Sequence, residues 1–126
     1  MDNKPVNLVV GTRCRPELEE KFNKWYDEVH IAKLFQFPGM KKVTRYKILN
    51  ETNEYPTYLA IWEFESRKAY EDYEKSALLK SERQAMKEVW KGGGFETEGM
   101  KVVGWKGGGW EIEWRVSYET MKTWVK

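Results

Sequence analysis

The stretch FNKWYDEVHIAKLFQFPGMKKVTRY, residues 22–46, decides the fold, because it changes from a helical to a strand-like pattern across one Pro-Gly break. Before the break, apolar residues recur at steps of four and three, which predicts one narrow stripe along a helix. This stripe consists of Leu18, Phe22, Trp25, Val29 and Ala32. Pro38-Gly39 ends the helix, and the residues from Met40 to Leu49 predict a strand.

The helix carries the only histidine of the chain, His30. On an ideal helix His30 lies about 120° from the centre of the apolar stripe, and Tyr26 about 80°. We therefore expect His30 on the flank, where it can line a cleft and act as a general acid or base. His30→Ala would then cost no more than roughly 0.5 kcal/mol of stability. The local pattern alone favours a plainer role, an imidazole near the negative end of the helix dipole.

The other strands are predicted from alternating or continuous apolar runs. They are Val6–Cys14, Thr57–Glu65 and two arms of a C-terminal hairpin, MKVVGW and WEIEWRVSY, which flank residues 106–109. The segments WKGGGFE (90–96) and WKGGGWE (105–111) are near copies. A Gly-rich loop can cradle phosphate, but neither copy has the Walker pattern. We interpret the first as a helix end and the second as the hairpin turn.

A second helical region is predicted between the third strand and the hairpin. Ser66 is its expected N-cap, and Ser81 with Gln84 fits a capping box that restarts the helix. The residues expected on its buried side are Ala85, Met86, Val89 and Trp90.

The order of these elements is β-α-β-β-α-β with one extra strand before the last. It predicts an α+β fold, a single ferredoxin-like domain over residues 1–126 with an antiparallel sheet and both helices on one face. Strand Thr57–Glu65 is apolar on both faces over most of its length, so the open face of the sheet also needs cover. A homodimer whose sheets pack face to face is the simplest prediction.

The composition bears on the class of protein. Hydrophobic residues make up 40% of 126 residues and the net charge is only +2, which favours a packed core and disfavours nucleic-acid binding. The start of the chain lacks the features of a signal peptide, and no apolar run is long enough for a membrane span. We expect a cytoplasmic protein without membrane contact. One His and one Cys, Cys14, form no disulfide and no metal-ligand pattern.

The pattern W-Y-D-x-V-H-I-x-x-L, followed by P-G and R-Y, resembles the first-helix signature of the EthD-like proteins of the dimeric α/β-barrel superfamily. One position differs, because related sequences often read H-I-P where this chain has Ala32, which allows a longer helix. The matching residues are Trp25, Tyr26, Asp27, Val29, His30, Ile31, Leu34, Pro38, Gly39, Arg45 and Tyr46.

The resemblance implies a dimer whose sheets form a barrel, with a cavity in each subunit between the helices and the concave sheet. It also implies that His30, which matches the histidine of the H-I-P motif, is the residue to expect in any activity. The superfamily includes cofactor-free monooxygenases, polyketide cyclases, lactone isomerases and some haem proteins, and many EthD-like proteins have no assigned chemistry.

Three functions remain open. The first is an enzyme without metal or bound cofactor that acts on a hydrophobic small molecule: His30 moves a proton, Tyr26 or Tyr46 orients the substrate, and Trp62 and Trp114 form the cavity wall. The second is a non-catalytic binding or accessory protein in which His30 is structural. The third is a haem-binding protein with His30 as axial ligand, which requires an open apolar slot beside the ring.

Overall fold

A six-stranded antiparallel sheet is the centre of the fold in the computed structural model, which describes residues 4–126. The strand order across the sheet is β2-β3-β1-β6-β5-β4. The strands are β1 (Val6–Cys14), β2 (Met40–Lys47), β3 (Tyr58–Phe64), β4 (Gly94–Glu98), β5 (Lys101–Lys106) and β6 (Trp110–Glu119). The predicted ferredoxin-like α+β fold with a C-terminal hairpin is confirmed. The edge strand β4 was not predicted, because GFETE has one large apolar residue and no alternating pattern.

The helices cover the sheet face that carries Leu8, Val10, Ala60 and Trp62, all of them buried. None of the helices that the structure describes is long and apolar enough to cross a membrane. The helical segments are α1 (Glu19–Trp25), α2 (Ile31–Leu34), α3 (Arg67–Glu74) and α4 (Ala77–Val89).

The N-cap of α3 is predicted correctly, and that of α4 is not. The hydroxyl of Ser66 accepts a hydrogen bond from the N–H of Ala69 at 3.1 Å. The restart of the helix lies at Ser76 rather than Ser81, since Oγ of Ser76 accepts from the N–H of Leu79 at 3.1 Å. That hydroxyl also donates to the carbonyl of Tyr73 at 2.7 Å and so joins the end of α3 to the start of α4.

A π-helical turn, Tyr26–His30, joins α1 to α2 and changes which residues face the sheet. The N–H of Ile31 donates to the carbonyl of Tyr26, five residues back instead of four. Each residue after this turn is displaced around the helix axis relative to the ideal spacing. The predicted stripe is therefore wrong from Val29 onward, because Val29 and Ala32 are exposed.

His30 is moved into the core by the same turn. Its exposed fraction is 9%, and Tyr26 and Leu34 beside it are buried as well. The predicted flank position of His30 assumed 100° per residue throughout, and the wider turn invalidates that assumption. The position on a helix edge is therefore corrected to a buried position between helix and sheet.

A β-bulge divides the alternating apolar residues of β6 between the two faces of the sheet. Gly11 of β1 pairs with Trp114, whereas the next residue, Thr12, pairs with Ile112. Glu113 is thus an extra residue, and the strand changes face at this point. Ile112 faces the helices, and Trp114 faces away from them.

The hairpin turn between β5 and β6 explains the second Gly-rich segment. Gly107, Gly108 and Gly109 have φ angles of 93°, 72° and 99°, a region that residues with a side chain rarely adopt. A Cβ at Gly109 would also collide with Leu18. The first copy ends α4, as predicted, and Gly92 likewise has a positive φ.

Candidate active site

A cavity of about 50 Å³ lies between the helices and the inner face of the sheet. Most of its lining is aliphatic or aromatic. Its polar and charged side chains are Thr12, Tyr26, His30, Tyr73, Arg83 and Arg115. The space is far below the ~300 Å³ of a typical ligand pocket, although it exceeds the ~10–15 Å³ that one water requires. As it stands, the cavity admits a molecule of only a few heavy atoms and excludes a polyketide.

A buried carboxylate holds His30 in this cavity. Nδ1 of His30 forms a hydrogen bond with Oε2 of Glu82 in α4, and Glu82 is only 1% exposed. Since an ionised carboxylate can only accept, the proton of this bond belongs to the imidazole. Nε2 has no protein hydrogen-bond partner within residues 4–126. The pair is therefore an imidazole oriented by a carboxylate, with its second nitrogen available for proton transfer.

Three aromatic rings fix the plane of the imidazole. Trp25 stacks on it with ring centroids 4.7 Å apart and planes 24° apart. Tyr26 and Trp62 contact it edge-on at centroid distances of 4.9 and 5.7 Å. This packing restricts the access of water to the ring and leaves it little rotational freedom.

The same packing bears on the haem alternative. A haem bound through His30 would require an open apolar slot beside the imidazole. The cavity that the imidazole lines measures about 50 Å³, which is far too small for a porphyrin. The site in this structure does not fit a haem.

Glu82 was not among the predicted site residues. Together with Leu79 and Met86 it forms the buried side of α4, at steps of three and four residues. The predicted buried side is right for Met86 and wrong for Val89, which is exposed. A glutamate within an apolar stripe is the signal that could have identified it, because buried carboxylates need partners. The second partner is Lys33, whose Nζ lies 3.4 Å from Oε1.

A second, partly buried ion pair lies beside the cavity. Arg115 of β6 is 8% exposed, and its two terminal nitrogens donate to the two carboxylate oxygens of Glu74 at 2.6 and 2.8 Å. The hydroxyl of Tyr70 donates to the same carboxylate at 2.8 Å. Burial acts to raise the pKa of Glu74, but the hydrogen bonds and charge of Arg115 outweigh it and lower that pKa.

The phenol of Tyr26 in the cavity and the thiol of Cys14 at the end of β1 are protonated at neutral pH. Burial raises the pKa of Tyr26 to about 12, although Arg45 opposes the shift, so its hydroxyl remains a hydrogen-bond donor. Burial, with help from Glu19, raises the pKa of Cys14 to about 11, which argues against a reactive thiolate. Among residues 4–126, no group of three His, Cys, Asp or Glu side chains could hold a metal ion.

The structure brings together three of the five predicted site residues, His30, Tyr26 and Trp62. Tyr46 and Trp114 line a separate hollow on the opposite face of the sheet and are 50% and 36% exposed. Tyr46 faces that way because it alternates with the inward Arg45, and Trp114 because of the β-bulge. Their assignment to the cavity of His30 is corrected accordingly.

The sequence matches a family model, and the fold is similar to that of solved structures. A family model described as a domain of unknown function, DUF4286, matches residues 8–100. No curated protein matches the chain in sequence.

Three solved structures share the fold at low sequence identity. An EthD family protein from Bacillus halodurans is 12% identical with a TM-score of 0.60, over 93% of this chain and 99% of that one. A DABB family protein with a ferredoxin-like fold from Mesorhizobium loti is 11% identical with a TM-score of 0.57, over 95% and 98%. A hydroxynitrile lyase from Passiflora edulis is 12% identical with a TM-score of 0.61, over 98% and 100%. The predicted EthD-like fold is confirmed by these likenesses, which concern the fold alone.

Proposed function

The chain belongs to the DUF4286 family of domains of unknown function, and we propose that it is an enzyme. In this proposal His30, which lines the cavity between the helices and the sheet, is the general acid and base. The observation that supports this proposal is the His30–Glu82 pair in an otherwise apolar space. Glu82 keeps the proton on Nδ1, so that Nε2 can accept a proton from a bound molecule and return it. Tyr26 supplies a neutral donor for a developing oxyanion, and Trp62 forms part of the wall.

The reaction that fits these groups is proton transfer at a carbon next to a carbonyl. Nε2 takes the proton, the C–H electron pair passes into an enolate, and the same nitrogen returns the proton to carbon or oxygen. No electron acceptor is needed for this sequence. The size of the cavity indicates a substrate of a few heavy atoms. The fold can support an enzyme, since the Passiflora edulis protein that shares it is a hydroxynitrile lyase.

Deuterium exchange tests this reaction without knowledge of the natural substrate. In D₂O, the wild-type protein is expected to accelerate exchange at the α-carbon of at least one of acetone, acetaldehyde, pyruvate and acetoacetate. His30→Gln should lower that rate by about 10²–10⁴, because the proton acceptor is lost. Exchange is measured by proton NMR, and Ser81→Ala, an exposed change next to Glu82, is the matched control.

Two results would contradict the proposal. One is exchange at the buffer rate for every compound, or an equal rate in His30→Gln. The other concerns the tautomer: the nitrogen resonances of the single imidazole should show a proton on Nδ1 and none on Nε2 at high pH. The opposite tautomer would mean that Glu82 does not orient the ring as described.

The alternative of a non-catalytic binding or accessory protein is favoured by one observation, the small volume of the cavity. In that case Glu82 and the aromatic rings would hold His30 as part of the core. The same experiment separates the two functions, because a binding protein would take up a small ligand without any exchange that depends on His30.

We also propose a homodimer that buries the outer sheet face, the face opposite the helices. Strand pairing places Val9, Ile61 and Val116 side by side at its centre. The other apolar residues of the outer face are Tyr46, Leu59, Trp114 and Tyr118. A contiguous apolar patch of this kind is typical of an interface, and a two-fold axis allows the patch to cover itself.

Ile61→Lys is expected to dissociate the dimer, because it places two charges at the centre of the buried face. The wild type should sediment as a dimer at micromolar concentration, and Ile61→Lys as a folded monomer or as aggregate. Val29→Lys is the matched control, since Val29 is an exposed aliphatic residue on the helical side. A wild-type monomer at that concentration would refute the proposal.

A further inference from the structure

Two arginines reach the cavity, Arg83 from α4 and Arg115 from β6, and they differ in their partners. Arg115 donates a hydrogen bond to each carboxylate oxygen of Glu74. Arg83 lies 3.9 Å from Oε2 of Glu74, which is beyond hydrogen-bond distance. Within residues 4–126 the side chain of Arg83 makes no hydrogen bond, although it is only 22% exposed. Among residues 4–126 this guanidinium, with its five N–H donors, therefore lines the cavity without a hydrogen-bond acceptor from the protein, and solvent reaches its nitrogens.

The charges around the cavity do not balance. The carboxylates that pair with groups lining the cavity are Glu74 and Glu82, and the basic side chains paired with these two, besides His30, are Lys33, Arg83 and Arg115. With His30 neutral, the cluster carries one formal positive charge. The tyrosines that line or adjoin it, Tyr26, Tyr70 and Tyr73, have pKa values raised by burial and add no negative charge.

Arg83 is the residue at which an anion would relieve this imbalance. Burial and the neighbouring Arg115 both lower the pKa of Arg83, although Glu74 opposes them. A bound anion would oppose that repulsion and replace water as the acceptor, and a carboxylate matches the fork of a guanidinium with two parallel hydrogen bonds.

The small volume of the cavity links this arginine to His30. Both side chains line the same space of about 50 Å³, so a molecule that fills it touches both. A carboxylate held at Arg83 would leave the rest of such a molecule in the space that His30 also lines. Polar contacts of this kind fix the orientation of a ligand in an apolar pocket.

We propose that Arg83 and Arg115 form an anion subsite of the cavity, and that the ligand of this protein is a small carboxylate. This inference rests on the proposed function, which identifies the cavity of His30 as the active site. It concerns the binding of an anion rather than the transfer of a proton. It makes Arg83 the residue that sets substrate specificity.

Acetate and acetamide provide the test, because they have the same number of heavy atoms and differ in charge. At constant ionic strength, sodium acetate is expected to shift the imidazole resonances of His30 in a saturable manner and to raise Tm. Acetamide should do neither. Arg83→Met should weaken acetate binding by about tenfold or more, as loss of a charge-assisted hydrogen bond does.

Two further variants control this experiment. Lys80→Met removes a positive charge from an exposed position of the same helix and should bind acetate like the wild type. Arg83→Lys keeps the charge without the fork and should bind acetate with intermediate affinity, which preserves the test if Arg83→Met does not fold.

Equal binding of acetamide, acetate binding that survives Arg83→Met, or no saturable shift with acetate over the millimolar range would each overturn the proposal. These failures are distinct from failure of the proposed function. Exchange of a neutral ketone that depends on His30 could persist without an anion subsite, and acetate could bind at Arg83 in a protein that catalyses nothing.

Discussion

His30→Ala is expected to lower the free energy of unfolding by about 2–4 kcal/mol, because it removes the main partner of a buried carboxylate. Glu82 is 1% exposed, and its remaining contact is Lys33 at 3.4 Å. The cost expected from a flank position, roughly 0.5 kcal/mol, is therefore revised upward. Chemical denaturation, with the slope of the transition checked for two-state behaviour, gives the value.

A double-mutant cycle separates the ion pair from simple loss of packing. Glu82→Leu alone leaves His30 without its acceptor, whereas His30→Leu with Glu82→Leu removes both members of the pair. The double variant should be more stable than the sum of the single effects predicts, because no unpaired polar group remains buried. Strict additivity, or a cost of His30→Ala near 0.5 kcal/mol, would show that the pair contributes little to the fold.

Arg115→Met is expected to cost about 2–3 kcal/mol, because it leaves the partly buried Glu74 without the guanidinium that binds both of its oxygens. Arg67→Met is the matched control: Arg67 pairs with Glu71 one turn away on α3, but both side chains are well exposed. An exposed pair of this kind contributes about 0–1 kcal/mol. Equal losses in thermal or chemical unfolding of the two variants would contradict the structural role assigned to Arg115.

The Arg115–Glu74 pair also predicts how the free energy of unfolding depends on pH. The pKa of Glu74 is lowered in the folded state, so its contribution is fully present above the ordinary value of 4.5. That contribution is lost as the pH falls through the lower, folded-state pKa, because the protonated carboxyl no longer favours the fold. Between pH 5 and acidic unfolding, the wild type should therefore lose more stability than Glu74→Gln does. Parallel curves for the two proteins would refute this assignment.

The sequence determined those parts of the fold that depend on neighbouring residues. The β-branched run that ends before Arg15-Pro16 predicted the bounds of β1, Val6–Cys14, correctly, and Ser66 marked the start of α3, because strand propensity and capping are local properties. The order of the elements was sufficient for the ferredoxin-like fold. The first-helix pattern drew attention to His30, although its expected position on the helix was wrong.

Tertiary structure decided what the candidate site contains. The π-helical turn at Tyr26–His30 and the bulge at Glu113 each add one residue to a regular repeat, and every later side chain changes its direction. One such change turns His30 inward, and the other turns Trp114 out of the site. The partner of His30 is 52 residues away along the chain. A contact between two such distant residues depends on how the helices pack on the sheet, which no local pattern specifies.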